Sequence, residues 1–171
     1  MTLSTLHVGE LLADPIAAHP EDVDAADVTV GLSSNDTSEG TVSPSSLTFT
    51  AANWSTPQTV TVTGVDDSVD DGNIVFSIVT TSATSADSNY SGINAADVSV
   101  TNTDDDAAGI TVSAISGATC ESGGSASFTV VLDAQPSASV TIGFSSGDTT
   151  EGTVSPSTLV FTTANWSTPQ T

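Results

Sequence analysis

The residues of this sequence that could do chemistry are carboxylates, and they come in runs: Asp66-Asp67, Asp70-Asp71 and Asp104-Asp105-Asp106, with Glu39, Glu121 and Glu151 in polar stretches elsewhere. Against 21 Asp and Glu there is no Lys or Arg, and the formal net charge is −21. Two carboxylates about 5 Å apart repel by roughly 3 kcal/mol at an effective dielectric near 20, so several such pairs rival the ~5–15 kcal/mol that stabilises a domain. No ammonium or guanidinium side chain offsets that repulsion, which leaves cations from solution. The competing reading is a solvated acidic surface that serves solubility.

Charge and residue type exclude several functions. Nucleic acid is not an expected partner, because phosphate binding needs cationic side chains to displace condensed counterions, and an anionic membrane surface repels this chain for the same reason. Catalysis by the plentiful Ser and Thr would need a neighbouring base, yet the only His residues, His7 and His19, lie outside the repeated part of the chain. No enzymatic constellation is therefore expected. The same shortage of His, with a single Cys, disfavours zinc, copper and iron. Magnesium prefers fewer protein ligands and more water. Calcium takes six to eight oxygens at about 2.3–2.6 Å in flexible geometry, which Asp-rich loops can supply.

The elements that must position these carboxylates follow from a repeat. Residues 28–59 (VTVGLSSNDTSEGTVSPSSLTFTAANWSTPQT) recur at 140–171 (VTIGFSSGDTTEGTVSPSTLVFTTANWSTPQT) without gaps, with 25 of 32 positions identical, so the chain reads as a tandem array. Hydrophobic content of 37% is too high for a disordered acidic tail, while 5% aromatic residues imply narrow cores of Val, Ile, Leu and a few Phe. Two small sandwiches suit this composition better than one large domain. The expected divisions are an unassigned segment 1–27, a first repeat 28–106 lacking its opening strands, and a second repeat 107–171 cut before its last strands. The first copy continues after Thr59 into VTVTGVDDSVDDGNIVFSIV, whereas the second reaches Thr171, and residues 1–27 do not match 113–139. The chain is accordingly expected to be a fragment of a longer array.

Alternation of apolar and polar residues between turn clusters predicts strands near 28–33, 46–50, 58–65, 73–80, 96–102, 109–115, 126–132, 139–145 and 157–162. The period of two points Leu47, Phe49, Val60, Val62, Ile74, Phe76, Ile78, Val98, Val100, Ile110, Val112, Phe128, Val130 and Leu132 inward. A complete unit assembled from both copies has seven strands, A to G, which alternate in direction in an antiparallel sandwich. Strand parity then gathers ten carboxylates at one pole: Glu121 in A–B; Asp36 and Glu39 in C–D; Asp66, Asp67, Asp70 and Asp71 in E–F; and Asp104, Asp105 and Asp106 after G. The opposite pole receives three, Asp87, Asp97 and Asp133. An acidic surface made for solubility alone has no reason to sort its charge by strand parity.

These residues also resemble a known family. Glu-Ser-Gly-Gly before a Phe-Thr-Val-Val strand (121–131), an acid ten residues before the Phe of Leu-Thr-Phe (Glu39 and Phe49), Asp66-Asp67 after Val-Thr-Val-Thr, and the terminal Asp104-Asp105-Asp106 are similar to the Calx-β domain. That family includes regulatory domains of sodium-calcium exchangers and many bacterial surface-protein repeats. The resemblance implies tandem immunoglobulin-like antiparallel sandwiches, all-β. It also implies calcium ligands at Glu39, Asp66, Asp67, Asp104, Asp105, Asp106 and Glu121, with Asp70 and Asp71 as further acids and Glu151 as the second copy's counterpart of Glu39. Neither copy carries all four loops of such a site: the first lacks the opening Glu, and the second lacks the E–F loop and the Asp triplet.

The remaining features have plainer readings. Trp54 and Trp166, in the repeated Asn-Trp-Ser-Thr-Pro-Gln, are expected to plug the ends of thin cores, with ligand stacking as the rarer use. Asn35, Asn53, Asn89 and Asn165 begin Asn-x-Ser/Thr triplets, which matter only in a glycosylating host. Cys120 alone can form no disulfide within the chain. No basic signal-peptide region and no apolar run near ~20 residues occurs, so any export signal or anchor is expected elsewhere. The expected setting is extracellular or at the cell surface, with neighbouring repeats as partners. A calcium-stiffened structural or adhesive module is the first functional reading. A module that recognises a surface protein or glycan without calcium is the second.

Overall fold

A computed structural model describes residues 4–7 and 26–171, and every regular element among them is an antiparallel β-strand. Most of the unassigned segment, with Glu10 and His19, lies outside the described residues. The chain divides into two compact units: unit 1 comprises Met1–Asp66 and Asn73–Thr103, and unit 2 comprises Asp67–Gly72 and Asp104–Thr171.

Unit 1 holds β1 (Ser4–His7), β2 (Val28–Ser34), β3 (Gly40–Ser43), β4 (Ser46–Phe49), β5 (Thr59–Gly64), β6 (Ile74–Thr80), β7 (Thr84–Ser85) and β8 (Val98–Asn102). They form two sheets, β1-β5-β3 and β4-β2-β6-β8, with β7 also paired to β2. The inward residues of both sheets share one core. Val60 and Val62 come from the first sheet, and Leu32, Leu47, Phe49, Phe76 and Ile78 from the second. Alternation is the cause: in β5 and β6 every second side chain is buried while the intervening Thr61, Val75 and Ser77 are not.

Each expected strand of unit 1 is present, and three were not anticipated: β1, β3 and the two-residue β7. The segment before the expected 46–50 strand is itself a strand, β3, which pairs with β5 (Gly40↔Gly64, Val42↔Val62), whereas β4 pairs with β2 (Val28↔Phe49, Gly31↔Ser46). The chain changes sheets at Pro44, which lacks an N–H and cannot continue a ladder. β1 supplies a strand from the unassigned segment, lying antiparallel to β5 with His7 opposite Thr59.

Unit 2 holds β9 (Ile110–Val112), β10 (Val130–Leu132), β11 (Val140–Gly143) and β12 (Thr158–Phe161), in the pairs β9-β10 and β11-β12. Val130, Leu132, Leu159 and Phe161 form its core, with Phe128, Val140, Ile142, Phe144 and Trp166 packed against it. The expected strands 109–115 and 126–132 are shorter than their alternation suggested. Beyond Val112 the serines interrupt the ladder, since Ser113 Oγ takes the Thr129 N–H (2.8 Å) and Ser116 Oγ takes the Ser127 N–H (2.8 Å). Ile110 and Val112 correct the inward assignment, being 53% and 55% exposed. They lie on one strand of a two-stranded ladder, and all three β9 residues are exposed.

Candidate functional site

Register fixes which loops share an end of unit 1. Gly40 stands opposite Gly64, Ile74 opposite Asn102, and Ser34 opposite Ile78. The 35–39 loop, the exit of β5, the entrance of β6 and the exit of β8 therefore lie at the same end, as parity implied for the acidic loops. At that end the centre is an amide. Asn102 Nδ2 donates to Glu39 Oε2 (3.2 Å) and to the Val65 carbonyl (2.8 Å), while the Val65 N–H donates to the Glu39 carbonyl (2.9 Å). Gly64 is required here, because a Cβ on it would stand 2.6 Å from Asn102 Oδ1. Asp66 follows Val65 directly and is exposed.

Asp67, Asp70, Asp71, Asp104, Asp105 and Asp106 belong to unit 2, where two stretches of chain are tied together through carboxylates. Asp104 Oδ2 accepts the Gly72 N–H (2.6 Å), its Oδ1 accepts the Asp106 N–H (2.9 Å), and Asp70 Oδ2 accepts the Ala108 N–H (2.8 Å). The loop is further held where Ser68 O accepts the Gln135 N–H (2.7 Å). Asp67 Oδ1 closes a turn onto the Val69 N–H (2.7 Å), and a positive φ of 80° at Gly72 reverses the chain before β6. The N–H groups of Asp106 and then Gly72 hold the Asp104 carboxyl below its ordinary range, against a small opposing effect of burial. Asp71 and Asp105 are exposed, and Asp106 is half-buried.

Glu121 and Glu151 stand apart from this arrangement, each exposed on a turn of unit 2, at 120–124 and 148–152. Among the described residues no three His, Cys, Asp or Glu side chains are placed to hold a metal ion. The donor chemistry nevertheless suits a hard cation, since Asp67, Asp70, Asp71, Asp104, Asp105 and Asp106 offer only oxygen within two hydrogen-bonded stretches. A carboxylate with four lone-pair positions retains acceptor capacity after one or two N–H bonds.

Asp36 has a different role from the other acids of the first repeat. Its Oδ1 accepts both the N–H (3.1 Å) and the hydroxyl (2.5 Å) of Ser38, and the Ser38 hydroxyl is the main cause of its lowered pKa. Asp148 repeats this turn with Thr150 (2.9 and 2.6 Å) and is lowered for the same reason. The Asn-Trp-Ser-Thr-Pro-Gln motif is also mainly a turn. Asn53 Oδ1 accepts the Thr50 N–H (2.6 Å), and Gln58 Nε2 donates to the Thr48 carbonyl (2.9 Å). Asn165 and Gln170 repeat both bonds on Thr162 and Val160. Trp166 packs on its core, but Trp54 is 41% exposed, so the plug assignment fails for the first copy. Cys120 is exposed, and the Ser122 hydroxyl followed by the Gly124 N–H draws its pKa down.

Asn102 is the positioning residue that sequence reasoning missed. Its signal was available: it occupies the inward parity of β8 with Val98 and Val100, where an amide is out of place unless it has partners. No family model, curated protein or solved structure matches this chain.

Proposed function

We propose that this chain is a calcium-binding structural module of an extracellular or cell-surface protein, built as tandem immunoglobulin-like repeats of the Calx-β kind. The observation that carries the reading is the pairing of the 67–72 and 104–108 stretches through the carboxylates of Asp70 and Asp104. It occurs in a sequence with no Lys or Arg to balance them. Asp67, Asp70, Asp71, Asp104, Asp105 and Asp106 are the residues that would hold the ion in unit 2, with Glu39 and Asp66 at the acidic end of unit 1. Calcium supplies charge neutralisation, which lets side chains that repel one another in its absence draw together. Glu121 and Glu151 remain candidate ligands for sites completed by other repeats.

Mechanically, the ion would reinforce two stretches that are already joined by hydrogen bonds, and the partners it serves are neighbouring repeats. Binding to the folded state alone raises stability by mass action. In calcium at about 10⁻⁴–10⁻³ M, the range of extracellular modules, the melting temperature should rise above that in chelator. Magnesium at equal concentration should do less. An identical melting temperature in calcium and chelator removes the site and returns the solubility reading.

A second reading, recognition of a surface protein or glycan without calcium, draws on the exposed Trp54 ring beside the Asn53 turn. It requires that Trp54→Ala abolish ligand binding while leaving the fold intact.

A further inference from the structure

The four Asn-x-Ser/Thr triplets share a pattern, but the fold gives their carboxamides different surroundings. At Asn53 the carboxamide is the centre of a turn, with Oδ1 accepting the Thr50 N–H (2.6 Å) and Nδ2 donating to the Thr48 carbonyl (3.3 Å). Asn165 makes the same two bonds, to Thr162 and Val160, and both asparagines are half-buried. Asn35 is exposed but pinned to β6, since its N–H donates to the Ser77 carbonyl (3.0 Å) and its Oδ1 accepts the Ser77 N–H (2.8 Å). Asn89 differs from all three. It is exposed, as is Ser91 two residues on, and it bonds through its backbone N–H, to Asp87 Oδ1 (2.8 Å), which leaves the carboxamide to solvent.

The turn that carries Asn89 is held largely by one residue. The Asp87 carbonyl accepts the N–H groups of Tyr90 (3.2 Å) and Ser91 (2.9 Å), and a positive φ of 87° at Gly92 turns the chain back. Ser85 stands opposite Val28 at the start of β2, so this turn lies at the end of unit 1 opposite the 35–39 loop. It contributes no residue to the core cluster and can open locally without disturbing it. The sequence supplies a second, independent distinction. Asp87 stands two residues before Asn89, in Asp-Ser-Asn-Tyr-Ser, whereas Ser33, Ala51 and Thr163 hold that place before Asn35, Asn53 and Asn165. Single-subunit oligosaccharyltransferases that modify folded, exported chains read such an acid as well as the hydroxyl. The triplet with the free carboxamide is thus also the one with the fuller acceptor pattern.

We propose that Asn89 is an N-glycosylation site, and that it is the one triplet of the four that the folded chain offers to a transferase of this kind. The proposal rests on the extracellular reading, because these transferases act on exported chains, and it does not rest on calcium. In the reaction Asn89 Nδ2 bonds to the anomeric carbon of an oligosaccharide carried on a lipid pyrophosphate. The bond from that carbon to the pyrophosphate oxygen breaks, the lipid pyrophosphate leaves with the electron pair, and one Nδ2 proton passes to solvent. The glycan then stands in water at the end of unit 1 away from the acidic loops.

The test incubates the full folded chain with a purified bacterial oligosaccharyltransferase of this class and its lipid-linked oligosaccharide, and reads intact mass and glycopeptide sequence. One glycan per chain, at Asn89, is expected. Asn89→Gln should remove it, and Asp87→Ala should slow its addition about tenfold, the scale of one lost charge-assisted hydrogen bond. Asp104→Asn should leave glycosylation unchanged, so this site and the calcium reading can fail separately. Ala51→Asp places an acid two residues before Asn53. In the folded variant Asn53 should stay bare, whereas a synthetic peptide of residues 48–57 with the same change should accept the glycan. An unmodified wild-type chain, or a glycan that persists in Asn89→Gln, overturns the assignment of Asn89. A glycan on Asn53 of the folded variant, or a peptide that is also refused, overturns the protection assigned to the turn.

Discussion

Gly40–Ser43 and residues 152–155 have the same four amino acids, the same preceding turn and the same proline after them, yet the first is a strand with Gly40 buried and the second forms no strand and leaves Gly152 exposed. The difference is the partner: β5 lies against the first, and among the described residues no strand lies against the second. The segment's own propensity does not decide its state. By contrast the Ser-Leu-Thr-Phe strand β4 and its counterpart β12 form in both copies, because each has its partner, β2 or β11, in the same unit. Local turns repeat faithfully, whereas strands repeat only where a pairing partner is supplied.

The largest effects should come where the copies agree. Phe49 and Phe161 are both sealed, at 6% and 0% exposure, so Phe49→Ala and Phe161→Ala should each cost about 3–5 kcal/mol, read from hydrogen exchange in the affected unit. A much smaller loss for Phe161→Ala would mean that unit 2's core is not consolidated without more strands. Smaller and unequal effects are expected at the glycines. Gly40→Ala drives a methyl into the Phe76 ring and should cost about 1–3 kcal/mol, while Gly152→Ala enters open space and should change unit 2 by no more than about 0.5 kcal/mol. Equal losses at both positions would contradict the role assigned to the missing partner.

The smallest effects should again be equal. Asp36 and Asp148 have folded pKa values below their unfolded ones, so what they add to their turns is present above the unfolded pKa and lost as pH falls through the folded pKa. Both lie at the surface, so the effect is local. The Ser38 and Thr150 amides should lose exchange protection together as pH drops below about 4. Asp36→Asn should remove the pH dependence at Ser38 and leave it at Thr150.

Much of this fold was legible in the sequence. Period-two patterning located the strands of unit 1 and their inward residues, and strand parity gave the common end of the loops, because both depend only on alternation along the chain. Three things were hidden. β3 was too short and too polar to stand out, and it exists only through β5. Ile110 and Val112 follow the same alternation as buried residues, but alternation cannot reveal whether a second sheet covers them. Asn102 was read as a strand end, although its inward parity marked it as a residue with partners. The acidic runs were legible as runs. Sequence could not reveal that 67–72 and 104–108 would be tied by Asp70 and Asp104 to backbone N–H groups, since that depends on the turn made at Gly72.

The proposed calcium role stands on those two ties, and the amides that make them report on it directly. Calcium titrated into the full chain should shift the resonances of Gly72, Asp106 and Ala108 along one saturating curve with a midpoint near 10⁻⁴–10⁻³ M, and Asp104→Asn should weaken that curve. The surface turn at Asp148 should stay unmoved and serve as the internal control. Equal, non-saturating drift at Gly72, Asp106, Ala108 and Thr150 would mean that calcium merely screens a uniformly acidic surface, and would contradict the account.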